Sequence, residues 1–89
     1  MKAIVTVVGK DRVGIIAGVC VKLAEYNVNV LDISQTVMQG YFTMMMAVEV
    51  GGSSIPLAEL ATRMEEAGKE MGLSIRVQRE DIFEAMHRI

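Results

Sequence analysis

A chain of 89 residues is long enough for one domain with its own core and too short for two. The net charge of −2 argues against a nucleic-acid binder that works through its own basic surface, because phosphate neutralisation dominates such binding. One cysteine, Cys20, allows no internal disulfide, no apolar run approaches a membrane span, and no leader-like pattern follows Lys2, so a soluble cytoplasmic protein is expected.

The first segment, residues 2–8, is short and β-branched and reads as a strand ending at Gly9. Ala3, Val5 and Val7 point one way, and Ile4, Thr6 and Val8 the other. Both sets are largely apolar, which predicts a central strand. Residues 12–27 read as a helix. At 100° per residue Val13, Ile16, Cys20, Leu23 and Ala24 share one side, expected to face the core, and Gly14, Gly18, Lys22 and Glu25 the opposite one. Asn27 is its expected stop. Residues 28–38 and 41–50 read as two strands joined at a Gln39-Gly40 turn, a hairpin pattern. Phe42, Met44, Met46, Val48 and Val50 alternate onto one face of the second of these strands, with Tyr41, Thr43, Met45, Ala47 and Glu49 on the other.

After the loop 51–54, Pro56 fits the first turn of a helix, where its missing N–H costs little. Leu57, Leu60, Ala61, Met64, Ala67 and Met71 then recur at helical spacing, and Gly72 ends the run. Residues 73–79 alternate again, with Leu73, Ile75 and Val77 inward, and read as an edge strand. Residues 80–89 are expected to add a short helix with Ile82, Phe83 and Met86 on one face.

The order β-α-β-β-α-β is that of the α+β ferredoxin-like sandwich, a four-stranded antiparallel sheet with two helices on one face, here with a short C-terminal helix. The expected division is a domain over 1–79 and a helical extension over 80–89. The other sheet face is left without a helix layer. Ile4, Thr6, Val8, Met45 and Ala47 make it apolar enough to call for a cover, either the last helix or a second subunit. The hydrophobic fraction of 52%, with eight methionines, fits such a surface.

The glycines around Lys10-Asp11-Arg12 raise the question of a phosphate loop. A Walker loop needs Lys-Ser/Thr after its last glycine. Here Gly14 precedes Ile15-Ile16, and the GxGxxG fingerprint is absent as well. What remains is a strand, a sharp turn and a helix N-terminus. Unpaired N–H groups and the helix dipole favour an anion there. A helix simply capped by Asp11 would give the same pattern. Gly14 and Gly18 together point either to a close approach by a partner or ligand, or to tolerated glycines. No catalytic residues are expected: His87 stands near the end with no nucleophile beside it, and Asp32 and Glu49 are unpaired acids. No metal or other cofactor is expected either. Cys20 reads as a packed hydrophobe, and Met44-Met45-Met46 as core and interface packing.

Over the stretch GKDRVGIIAGVCVKLAEYNVNVLDISQ the sequence resembles an ACT domain, with KDRVG as the polar turn and glycine before the first helix and NVN at the start of the second strand. The likeness covers nearly the whole chain. It is strongest to small stand-alone members of unassigned function, allied to the glycine cleavage system repressor group. The resemblance implies a regulatory, non-catalytic homodimer that binds a small amino acid, glycine or serine being favoured, at the subunit interface. It further implies that the turn Gly9, Lys10, Asp11, Arg12, Val13 and Gly14 holds the ligand. Backbone N–H groups would meet the carboxylate, Asp11 the ammonium, and Gly14 would leave room. Asn29 would reach in from the same or the partner subunit. The alternative is a ligand-free interaction module that docks an enzyme or regulator through the apolar sheet face and the last helix. An acyl-phosphate-hydrolysing enzyme on the same fold is disfavoured, since the turn lacks a glycine-rich phosphate cradle.

Overall fold

The computed structural model of the chain describes residues 1–86. Its elements are β1 (Lys2–Lys10), α1 (Ile15–Glu25), β2 (Asn29–Met38), β3 (Tyr41–Glu49), α2 (Leu57–Met71), β4 (Ser74–Arg79) and α3 (Glu80–Met86). The strands form one sheet in the order β2-β3-β1-β4, every neighbouring pair antiparallel. This is the ferredoxin-like topology the element order implies. β1 is flanked on both sides, as its two apolar faces require.

The core lies between the sheet and α1 and α2. Ala3, Val5 and Val7 from β1 meet Phe42, Met44, Met46 and Val48 from β3, and Ile15, Val19, Leu23, Leu60 and Met64 close over them. Each such large apolar side chain contributes about 1.5–3 kcal/mol by leaving water. The β2–β3 hairpin turns at Gln39 (φ 50°) and Gly40 (φ 81°). Two successive positive φ values match the right-handed strand twist, and they set Val37 opposite Phe42. A register shift between Val30 and Asp32 leaves Leu31 as a bulge. Gly72, at φ 72°, ends α2 in the left-handed conformation.

α1 departs from the sequence expectation. It begins at Ile15, three residues late, because Gly14 adopts φ 92° and serves as the N-cap. The buried stripe is Ile15, Val19 and Leu23; Ile16 and Cys20 flank it half-buried, Ala24 is exposed, and Val13 stands outside the helix, 97% exposed. Gly18 does not face away from the interior. A Cβ there would come within 2.7 Å of Met71 Cε, so α2 is what approaches it.

β2 is an edge strand that outruns its cover. Val30 is half-buried, but every residue from Leu31 to Met38 is exposed. On the sheet face away from α1 and α2, Ile4 and Ala47 are half-buried while Val8, Tyr41 and Met45 remain exposed. α3 packs against β1 and β4, with Phe83 half-buried and Ile82 exposed. The expected place of Met86 on the apolar face of α3, and that of His87, lie outside what is described.

Candidate functional site

β1 delivers the chain into the turn 11–14, which is tied down at two points. The Asp11 N–H donates to the Gly40 carbonyl at 2.8 Å, fixing the turn to the β2–β3 hairpin. Arg12 Nη2 donates to the Met71 carbonyl at 2.8 Å, fixing it to the end of α2. The helix that follows is left open at its start. No side chain hydrogen-bonds to the N-terminus of α1, and no acidic residue lies in its first turn. Among the described residues, the N–H groups of that turn and the positive end of the helix dipole are therefore uncompensated. Asp11 does not cap the helix; its carboxylate has no hydrogen bond or ion pair among the described residues.

This helix start opens onto a cleft of about 320 Å³, lined by Asp11, Arg12, Gly14, Ile15, Ile16 and Ala17 on one side and by Gln35, Val37 and Phe42 on the other. The register explains the second wall. Gln35 pairs with Met44 and Val37 with Phe42, so both project to the helix side of the sheet, at the hairpin end where α1 does not cover β2. An anionic group at the first-turn N–H groups and a cation at Asp11 would be served together, with carbon surface beside them.

The residues expected to form the site are only partly brought together. Asp11, Arg12 and Gly14 line the cleft. Gly9 and Lys10 belong to β1, which continues past the expected end at Gly9. Gly9 packs so tightly on Leu73 that a Cβ would collide with Leu73 Cδ2. Val13 stands clear of the lining. Asn29 is at the far end of β2, paired with Glu49 and beside a separate cleft of about 340 Å³ that includes Asn27 and Gly52. The six residue steps from Asn29 to Gln35 span about 20 Å, so Asn29 does not reach the turn of its own chain. There the Met1 ammonium bonds Glu49 Oε2 at 2.6 Å and the Gly51 N–H adds 3.0 Å; together they hold the Glu49 carboxyl below the usual carboxylate range. Gln35 and Val37 were not singled out from the sequence, and Ile16 was read only as part of the helix's core side. The Gln39-Gly40 turn was the signal, since it fixes which β2 residues stand opposite Phe42 and Met44.

Among the described residues no three potential metal ligands cluster, and no helix is long and apolar enough to cross a membrane. A second cleft of about 600 Å³ between α2 and β4 has Glu65, Lys69 and Arg76 among its lining residues.

The geometry defines a small ferredoxin-like domain whose cleft lies between the β1–α1 turn and an edge strand. The chain belongs to the ACT domain family, a regulatory ligand-binding fold, whose sequence pattern matches residues 2–78. It is 53% identical over 89 residues to a UPF0237 protein of Clostridium acetobutylicum, covering the whole of both chains. An ACT domain protein from Streptococcus pneumoniae superposes with a TM-score of 0.83 at 47% identity, over 98% of each chain. A protein described as a glycine cleavage system transcriptional repressor shares the fold with a TM-score of 0.75 at 22% identity, over 88% of this chain and 44% of that one.

Proposed function

We propose that this ACT domain is a non-catalytic sensor that binds a small amino acid in the cleft between the β1–α1 turn and β2, at a homodimer interface, and reports its level to a partner protein. The observation that carries the reading is the pairing of an uncapped helix start with the free carboxylate of Asp11 on one cleft. An amino acid brings the complementary pair, a carboxylate for the N–H groups and an ammonium for Asp11. Gly14, in the left-handed conformation with open space around it, keeps the approach clear.

The homodimer part of the proposal draws support from β2. Its outer edge is unpaired, and Leu31, Ile33 and Met38 are exposed along it. Such an edge invites a second strand. If two β2 edges meet antiparallel, the start of one lies beside the end of the other, and the partner's Asn29 then approaches the turn that this chain's Asn29 does not reach.

The test is a thermal-shift screen with the twenty amino acids, each at several millimolar. A ligand at a hundred times its dissociation constant stabilises by about 2.7 kcal/mol, which for a domain of this size raises the midpoint by roughly 10 °C or more. Asp11→Ala with Asn29→Ala is expected to abolish the shift. A flat screen with folded protein favours a second reading, in which the exposed Val8, Tyr41 and Met45 surface docks an enzyme or regulator without a ligand.

A further inference from the structure

We infer that the cleft takes an amino acid with a branched aliphatic side chain, of the valine, leucine and isoleucine class, in preference to glycine or serine. This rests on the amino-acid reading above and concerns the side-chain end of the same site.

The wall chemistry carries the inference. Away from the turn the cleft is lined by Ile16, Ala17 and Val37, with the buried Ile15 and Phe42 beneath them. Gln35 is the one uncharged polar side chain in the lining, and no hydroxyl faces the cleft. Of the two charged residues, Arg12 already donates to the Met71 carbonyl, and Asp11 is taken by the ligand ammonium in this reading. Within this chain a serine hydroxyl against such a wall gives up water and meets at most Gln35, so it gains little by entering. Glycine has nothing to place there.

Room points the same way. At roughly 30 Å³ per water, a cleft of this size holds about ten waters. With the carboxylate and ammonium seated at the turn, glycine leaves most of the apolar wall wet, whereas a branched side chain dries it. Val37 is 54% exposed in the free chain, although it projects to the same side of the sheet as the buried Phe42. That exposed carbon is what a ligand side chain would cover. In an apolar pocket each added methylene is worth roughly 10- to 200-fold in discrimination.

Isothermal titration of the 89-residue chain with L-valine, L-leucine, L-isoleucine, glycine and L-serine tests this, repeated on Val37→Thr. That substitution keeps the side-chain volume, adds a hydroxyl and sits at an exposed edge position, so the fold should hold; circular dichroism checks that it does. At least one branched amino acid is expected to bind tenfold or more tighter than glycine and serine. Val37→Thr is expected to weaken the branched ligand by about tenfold and leave glycine and serine as they were. Glycine or serine binding as tightly as the branched ligands, or a Val37→Thr variant that leaves branched-ligand affinity unchanged, overturns the inference while the amino-acid reading stands. Binding of none of these five to folded protein overturns the inference, and a flat thermal-shift screen with all twenty overturns the amino-acid reading as well.

Discussion

Arg12 and Met71 are joined by a 2.8 Å hydrogen bond from the guanidinium of one to the backbone carbonyl of the other, so the first turn of the chain is held by the last turn of α2. The bond is exposed and closes a long loop. Its net worth is about 0.5–1.5 kcal/mol. Arg12→Ala is expected to lower the thermal midpoint by several degrees, at about 4–8 °C per kcal/mol for a domain of this size. Arg12→Lys, which keeps a donor, should recover part of that. Differential scanning calorimetry of the two variants measures both.

Gly18 and Gly68 look alike in the sequence and should respond oppositely to alanine. At Gly18 the new Cβ meets the flexible end of Met71, which can swing aside, and a helix gains roughly 1 kcal/mol when alanine replaces glycine. At Gly68 the Cβ meets the Leu73 carbonyl at 2.8 Å and Ile75 Cγ1 at 2.9 Å. Backbone and β-branched neighbours yield less, so overpacking of about 1–3 kcal/mol is expected. Urea denaturation should place Gly18→Ala above the wild type and Gly68→Ala well below it.

The acid limb of stability should depend on Glu49. Its carboxyl is held below the ordinary range by the Met1 ammonium first and by the Gly51 N–H second. Asp81 is held down in the same direction, chiefly by Arg79, which donates to it at 2.9 and 3.1 Å. A carboxyl whose folded pKa is depressed contributes stability above its unfolded pKa and loses it as pH falls through the folded value. Stability should therefore decline as pH drops below the ordinary carboxylate range. Glu49→Gln should reduce the difference between urea midpoints at neutral and acid pH, since the amide cannot titrate. An unchanged difference would remove Glu49 from the account.

The edge of β2 should control assembly. Ile33→Lys places a charge on an exposed strand residue, a common means of blocking strand addition. If β2 pairs with a second copy, the variant should elute as a monomer in size-exclusion chromatography with light scattering where the wild type elutes as a dimer. The same variant should lose any ligand shift that needs the partner's Asn29.

Alternation and punctuation made most of the fold legible. The two faces of β1 and of β3, the Gln39-Gly40 turn, and Pro56 and Gly72 around α2 all have local causes: period-two burial, positive φ, or a missing N–H. The phase of α1 was not legible, because it depends on where the helix starts. Gly14 takes a left-handed conformation that delays the start, so a stripe drawn from Val13 is misplaced. Gly18 misled for a related reason: its close neighbour, Met71, is distant in sequence. At the site, the turn could be read from Asp11 to Gly14, whereas the opposite wall depended on register. Asn29 falls at the wrong end of its strand for a site within one chain, a matter of strand direction that residue type does not reveal.

A Cβ at Gly9 would stand in the volume that Leu73 Cδ2 now fills. A side chain at the first position needs the Leu73 side chain to rotate away or to shorten, so the two sites are coupled. The end of the first strand and the entry to the last therefore adjust to each other through one side chain. A library that varies position 9 alone should favour the smallest residues, and one that varies both positions together should admit larger ones at 9 alongside smaller ones at 73.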